Sequence, residues 1–408
     1  MPSTCRDRFS SFEKTGLSTF TLTGTTTQVT PWTISAGTLA ISSDAALGDT
    51  SGVLTLRQAG GNQPTLRADA DLTMARDIAV YGNGKLDTND HTVTFTGSLI
   101  GDGVLSHQDT SGPLILSGTS SDFTGELQVR GATLRIENSA ALDRGSLDLI
   151  AGTLDYADGV GVGNSIRIAS RGYLSQTGGS ATQGGEIYGG GLLVKRGSGN
   201  LILSGANSYK GGTRVDEGSL TLANDLAAST GTIVTEAGTA LFYADGVDIA
   251  NRVELRGDTT LGQTGGSATQ SGEISGSGSL IKTGSGSLTL SGANSFDGLV
   301  TLVDGTLVLA NNSALSTGSL GTYDGTTVGF ADGVTIGNTI DLFGTTTFSQ
   351  TSGSATLSGL VRAGGLTKTG AGNLTLSGGN QYDGVTTVSE GTLTITGGSA
   401  LGTTAEGT

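Results

Sequence analysis

The phrase "KTGSGSLTLSGANSFDG", residues 282–298, decides how the whole chain is read. It holds four glycines, and Leu288 and Leu290 alternate with small polar residues. It recurs as "KRGSGNLILSGANSYKG" from Lys195 and "KTGAGNLTLSGGNQYDG" from Lys368. Weaker copies read "KTGLSTFTLTG" from Lys14 and "QDTSGPLILSG" from Gln108. One glycine of the phrase falls at Gly24, Gly118, Gly205, Gly292 and Gly378, in steps of 94, 87, 87 and 86 residues. Thirteen positions beyond each stands another: Gly37, Gly131, Gly218, Gly305 and Gly391. Each of these opens a second short run, such as "GSLTL" or "GTLVL". A fixed internal spacing kept over five copies marks a chain built by stacking one unit on the next.

The material between copies repeats as well. "ADGV" stands at 157–160, 244–247 and 331–334, each time ahead of an alternating run such as "TIGNTIDL". Gln176, Gln263 and Gln350 open segments ending in "GSAT" at the same 87-residue step. The chain therefore divides into approximate units 1–70, 71–156, 157–243, 244–330 and 331–408, expected to form one continuous solenoid.

Apolar residues keep period two, as Leu201 and Leu203 do, and no stripe at helical spacing outlasts a turn. Glycine is 71 of 408 residues while proline is only 4, which suits many tight turns between short strands rather than a disordered linker. Strands with one apolar face each must bury it against the coil above and below. The predicted class is all-β, a parallel β-helix in one elongated rod. With about 22 residues per coil, an 87-residue unit would make roughly four coils.

The formal charge of −15 disfavours nucleic acid as a partner. Cys5 is the single cysteine, so no intramolecular disulfide is possible. The first residues lack the apolar core of a signal peptide and no window has the length of a membrane helix, so the sequence reads as a fragment or a cytosolic chain.

The pattern Lys-x-Gly-x-Gly-x-Leu-x-Leu-Ser-Gly-x-Asn-x-(Tyr/Phe)-x-Gly, followed by Gly-Thr-Leu, resembles the passenger-associated transport repeat of bacterial autotransporters. Its positions here are Lys195, Gly205, Asn207, Tyr209 and Gly218; Lys282, Gly292, Asn294, Phe296 and Gly305; and Lys368, Gly378, Asn380, Tyr382 and Gly391. The resemblance implies a right-handed β-helical passenger of Gram-negative type V secretion, a fragment of a longer passenger domain. Its location would be extracellular, at the bacterial cell surface, with membrane attachment only through a C-terminal barrel that this sequence does not contain. It also implies a non-enzymatic role in adhesion or surface display, with repeats that assist folding and secretion. The partner would be a host-cell or matrix receptor, or a second copy; no cofactor is expected.

Each conspicuous residue also has a structural reading. The recurrent lysines are expected to be solvated turn residues. The aromatics are expected to pack in or against the coil, and the asparagines to bond their own turn backbone. "GNGKLD" at 82–87 resembles a calcium-binding nonapeptide but occurs once. A hydrolase would have to use His91 or His107, and "GDTSG" at 48–52 has Thr50 where a nucleophilic serine would stand. Asp87 with Asp90, or Asp155 with Asp158, are the carboxylate pairs that a β-helical polysaccharide lyase or hydrolase would use. A third reading is self-association through threonine-rich faces such as "TVTFT" at 92–96.

Overall fold

The computed structural model describes residues 11–108, 111–120 and 122–402. Cys5 lies outside them. The described residues form an all-β parallel solenoid of short strands, with one 3-10 turn at Asp44–Leu47 and no helix long and apolar enough to cross a membrane. The chain divides into two compact units, one of residues 1–201 with 208–211 and the other of 202–207 with 212–408.

In the first unit one sheet runs through Thr19–Leu22, Thr38–Ile41, Thr65–Ala68, Asn83–Asp87, Val104–Gln108, Glu126–Arg130, Ser146–Ile150, Ile166–Ile168 and Ile187–Tyr188. Every neighbouring pair is parallel, so each strand belongs to a successive coil. Alternation sends Leu39, Leu66, Leu86, Val129, Leu149 and Ile168 inward, in one ladder along the stack. His107 takes the rung between Leu86 and Val129 and is fully buried.

The second unit is built in the same way. One sheet carries Ser219–Leu222, Ala240–Tyr243, Thr259–Gly262, Leu280–Thr283, Val300–Leu302, Leu320–Tyr323, Ile340–Phe343 and Val361–Arg362; another carries Ser287–Leu290, Thr306–Leu309, Thr327–Phe330, Thr345–Ser349 and Gly365–Thr369. Aligned residues on adjacent coils, such as Thr213 with Ile233, Ile233 with Val253 and Val253 with Ile274, are 20 or 21 apart.

That spacing corrects the expected coil of about 22 residues. Four steps of 20 or 21 residues consume only 80 to 84 of the 87 in a repeat. The remainder is one further strand, so the next copy of the phrase starts on a different sheet. Ser287–Leu290 pairs with Ser267–Gln270 and Thr306–Leu309, whereas its counterpart Asn373–Leu376 pairs with Ser354–Leu357 and Thr392–Ile395, in a separate sheet.

The two glycines of the phrase serve different geometries. Gly305 has φ +72°, a left-handed conformation that side chains other than glycine adopt at a cost. Gly292 has ordinary φ, but a Cβ there would lie 2.5 Å from the carbonyl oxygen of Gly272 on the preceding coil. Both let adjacent coils approach, since a Cβ at Gly305 would lie 2.4 Å from Gly284 O, and Gly305 alone also needs the left-handed turn.

Candidate functional site

The repeat positions assemble into inter-coil fastenings, and the recurrent lysines contradict the solvated-turn expectation. Lys195, Lys282 and Lys368 are buried, and Lys14 nearly so. Each stands two residues after an inward leucine or, at Lys14, an inward-phase Phe12, and so points into the core. In register, Lys282 lies between Leu261 and Leu302. Its alkyl stem packs in the ladder, and its ammonium donates to the carbonyl oxygens of Thr283 (2.9 Å), Gly284 (2.7 Å) and, on the next coil, Asp304 (3.1 Å). Lys368 does the same with Thr369, Gly370 and Glu390, and Lys14 with Thr15, Gly16 and Ala36. Three donors meet three acceptors, so the charge is solvated by backbone. Burial lowers the Lys282 pKa to about 8, with the Asp304 carboxylate partly opposing, and also lowers that of Lys368, where Glu390 opposes.

The asparagines also depart from expectation, because they bond other coils rather than their own turn. Asn294 Nδ2 donates to Ala314 O (2.7 Å) on the coil after, while its Oδ1 accepts from Ile274 N (2.8 Å) on the coil before. Asn380 bridges Ala400 O and Val361 N, and Asn207 reaches Ala227 O. Where the second repeat has Ser120, its hydroxyl accepts from Leu99 N and donates to Ala141 O.

Sequence reading missed the fastening on the opposite side of those alanine-bearing turns. Asn251 Nδ2 donates back to Ala228, Ser229 and Gly231, and Asn338 to Ser316 and Gly318. Ser229 and Ser316 have positive φ, so the side chain reaches a strained turn. In the unit 71–156 this place is taken by the buried Arg76, whose guanidinium donates back to the carboxylate of Asp44 and to the carbonyls of Asp44, Leu47, Gly48 and Gly52. The "G-N" that follows "ADGV" in two copies was the available signal.

The aromatics Tyr209, Phe296 and Tyr382 are buried in the coils. The proposed carboxylate pairs are individually engaged: Asp87 accepts from Asn89 N, Asp90 from Ser111, Asp155 pairs with Arg135 and Asp158 accepts from Ser180 N. His107 Nε2 donates to Thr133 O (3.2 Å), and burial lowers its pKa to about 4; His91 stands 3.7 Å from Asp71 on the surface. Among the described residues no three His, Cys, Asp or Glu side chains gather as a metal site. Of the calcium-like "GNGKLD", Asn83–Asp87 is strand, with Gly84 and Leu86 facing inward. In "GDTSG" the Asp49 carboxylate accepts from Ser51. Val93 and Phe95 of "TVTFT" are core residues.

A family model, the passenger-associated-transport-repeat, matches residues 12–41, 111–136, 193–222, 280–309 and 366–395. The Adhesin BmaC autotransporter of Brucella suis biovar 1 (strain 1330) is 31% identical over 304 residues, which is 62% of this chain and 8% of that relative. The class that the solenoid and its five repeats define is the autotransporter passenger. The chain carries five passenger-associated transport repeats, and it spans about 8% of the length of the curated relative to which it is similar.

Proposed function

We propose that this chain is a non-enzymatic, adhesive part of a passenger displayed at the bacterial surface, with host-cell or matrix molecules as partners. The observation that supports it most is where the polar chemistry lies. The conspicuous repeat residues, Lys282 and Asn294 among them, are spent inside on holding coil to coil, and the strands present mixed polar side chains outward. Such a scaffold offers contact over many coils. The name of the relative, an adhesin, agrees with this reading. The same fastenings support a folding role. In each repeat the following coil supplies acceptors that the lysine and asparagine require, so a chain emerging from one end can be ordered in register, one repeat after another.

The test is to display residues 1–408 from a heterologous autotransporter barrel on a non-adherent bacterium. Adherence to epithelial cells or immobilised matrix, above that of the barrel alone, is expected. Equal adherence at matched surface levels would refute the adhesive part; clumping of displaying cells without adherence would identify a second copy as the partner.

A further inference from the structure

We propose that the outer face around Asn83, Ser106, Gln108 and Gln128 is a binding groove for an uncharged oligosaccharide. The starting point is the one irregular repeat step, 94 residues against 86 or 87 elsewhere. The excess appears on a single coil. Thr38 and Thr65 are aligned neighbours 27 residues apart, whereas the other steps on that sheet take 19 to 22. The additional residues form a projecting hairpin. Ala59 and Asn62 make an antiparallel bridge, and Gly60 and Gly61 between them have φ +59° and +80°, the two positive values of a two-residue turn.

The hairpin is folded back over the next coil. Gln58 Oε1 accepts from Asn83 N (3.2 Å), and Gln63 Nε2 donates to Gly84 O (3.4 Å). Together they wall a groove of about 410 Å3 lined by Gln58, Gln63, Asn83, Ser106, Gln108 and Gln128, with Val104 beside them. Ser106 is buried and forms the floor. Gln128 is held by Glu126, which accepts from its Nε2 (2.6 Å), so its orientation is fixed. The side-chain amides of Asn83 and Gln108 have no protein hydrogen-bond partner among the described residues.

The chemistry of this lining selects the ligand class. The volume is within the ~300–1,000 Å3 of small-ligand sites. No charged side chain lines it, so an anionic or cationic ligand finds no counter-charge there. A peptide cannot add as a strand, because Asn83–Asp87, Val104–Gln108 and Glu126–Arg130 are each paired on both sides. Among the described residues that line it, Val104 is the one apolar side chain. What remains is the two open amides of Asn83 and Gln108, each able to donate and accept, beside Gln58 Nε2 and Gln63 Oε1, while Ser106 donates to Gln128 Oε1 and fixes the floor. Such paired donors and acceptors match neighbouring hydroxyls on a neutral sugar. This rests on the adhesive reading only for its use at the cell surface; binding in solution and cell adherence are separate results.

The experiment is calorimetric titration of the full chain with cello-, malto-, manno- and N-acetylchito-tetraose, and with tetragalacturonate as an anionic control. At least one neutral oligosaccharide is expected to bind at millimolar concentration or tighter. The double variant Asn83→Ala with Gln108→Ala, both on the outer face and checked for an unchanged circular dichroism spectrum, should weaken it about tenfold. The idea fails if no neutral sugar binds, if only tetragalacturonate binds, or if the double variant binds as the parent does. Loss of surface adherence with sugar binding intact would remove the adhesive reading and leave this groove standing.

Discussion

A lysine in a leucine ladder is the residue on which the fold's energetics turn. Replacing Lys282 with Met keeps most of the volume but leaves the carbonyls of Thr283, Gly284 and Asp304 without their donor. A loss of about 2 kcal/mol in local stability is expected. It would be read as faster hydrogen exchange in residues 283–304. The same lysine gives the coil a pH dependence whose sign follows from its lowered pKa. In the unfolded chain the amine keeps its proton to about 10.5, while in the fold it releases it near 8. Between those values the unfolded state binds more protons, so stability rises with pH. Urea midpoints measured across pH 7.5–10 should climb in the parent, and Lys282→Met should remove this site's share of the climb.

At the scale of elements, two buried polar contacts recur and then vanish together. Tyr156 donates to Gln183 Oε1 (2.9 Å), and 87 residues on Tyr243 donates to Gln270 Oε1 (3.0 Å). A further 87 residues on, Phe330 and Leu357 stand in their places, and Phe330 packs edge-on against Phe348. Losing the hydroxyl alone would strand a buried amide oxygen, whereas Phe330 with Leu357 leaves no such group. Tyr243→Phe should therefore cost about 1–3 kcal/mol. Tyr243→Phe combined with Gln270→Leu should cost less than the two single changes added, by at least about 0.5 kcal/mol in a double-mutant cycle of denaturant unfolding. Strict additivity would mean the two side chains do not depend on each other.

For the whole molecule, stability is a sum of coil-to-coil contacts, so what matters is that each coil meets the neighbour it is written for. Excising residues 244–330 joins Tyr243 to Ala331, and "ADGV" resumes as before. The shortened chain should keep its β-type circular dichroism and its resistance to protease. Excising residues 254–330 instead puts Ala331 after Val253, out of phase with the lysine and asparagine fastenings, and should yield a protease-sensitive product. If both deletions behaved alike, coil identity would not be encoded by the repeat.

Much of this was written in the sequence itself. Period-two leucines, glycines at thirteen-residue separation and an 87-residue step determined short strands, tight turns and parallel stacking, because backbone geometry allows few other ways to bury such faces. Even the inward lysines were legible, since Leu280 and Lys282 share a phase. What misled was the charge, as lysine is ordinarily solvated by water. Only the tertiary structure decided that carbonyls from two coils could replace that water, that Asn294 spans three coils, and that 87 residues exceed four coils by one strand. Each depends on which backbone groups lie 20 residues away in the chain yet one strand away in space. The groove beside Asn83 belongs to the same class: its amides come from strands and a hairpin that only stacking brings side by side.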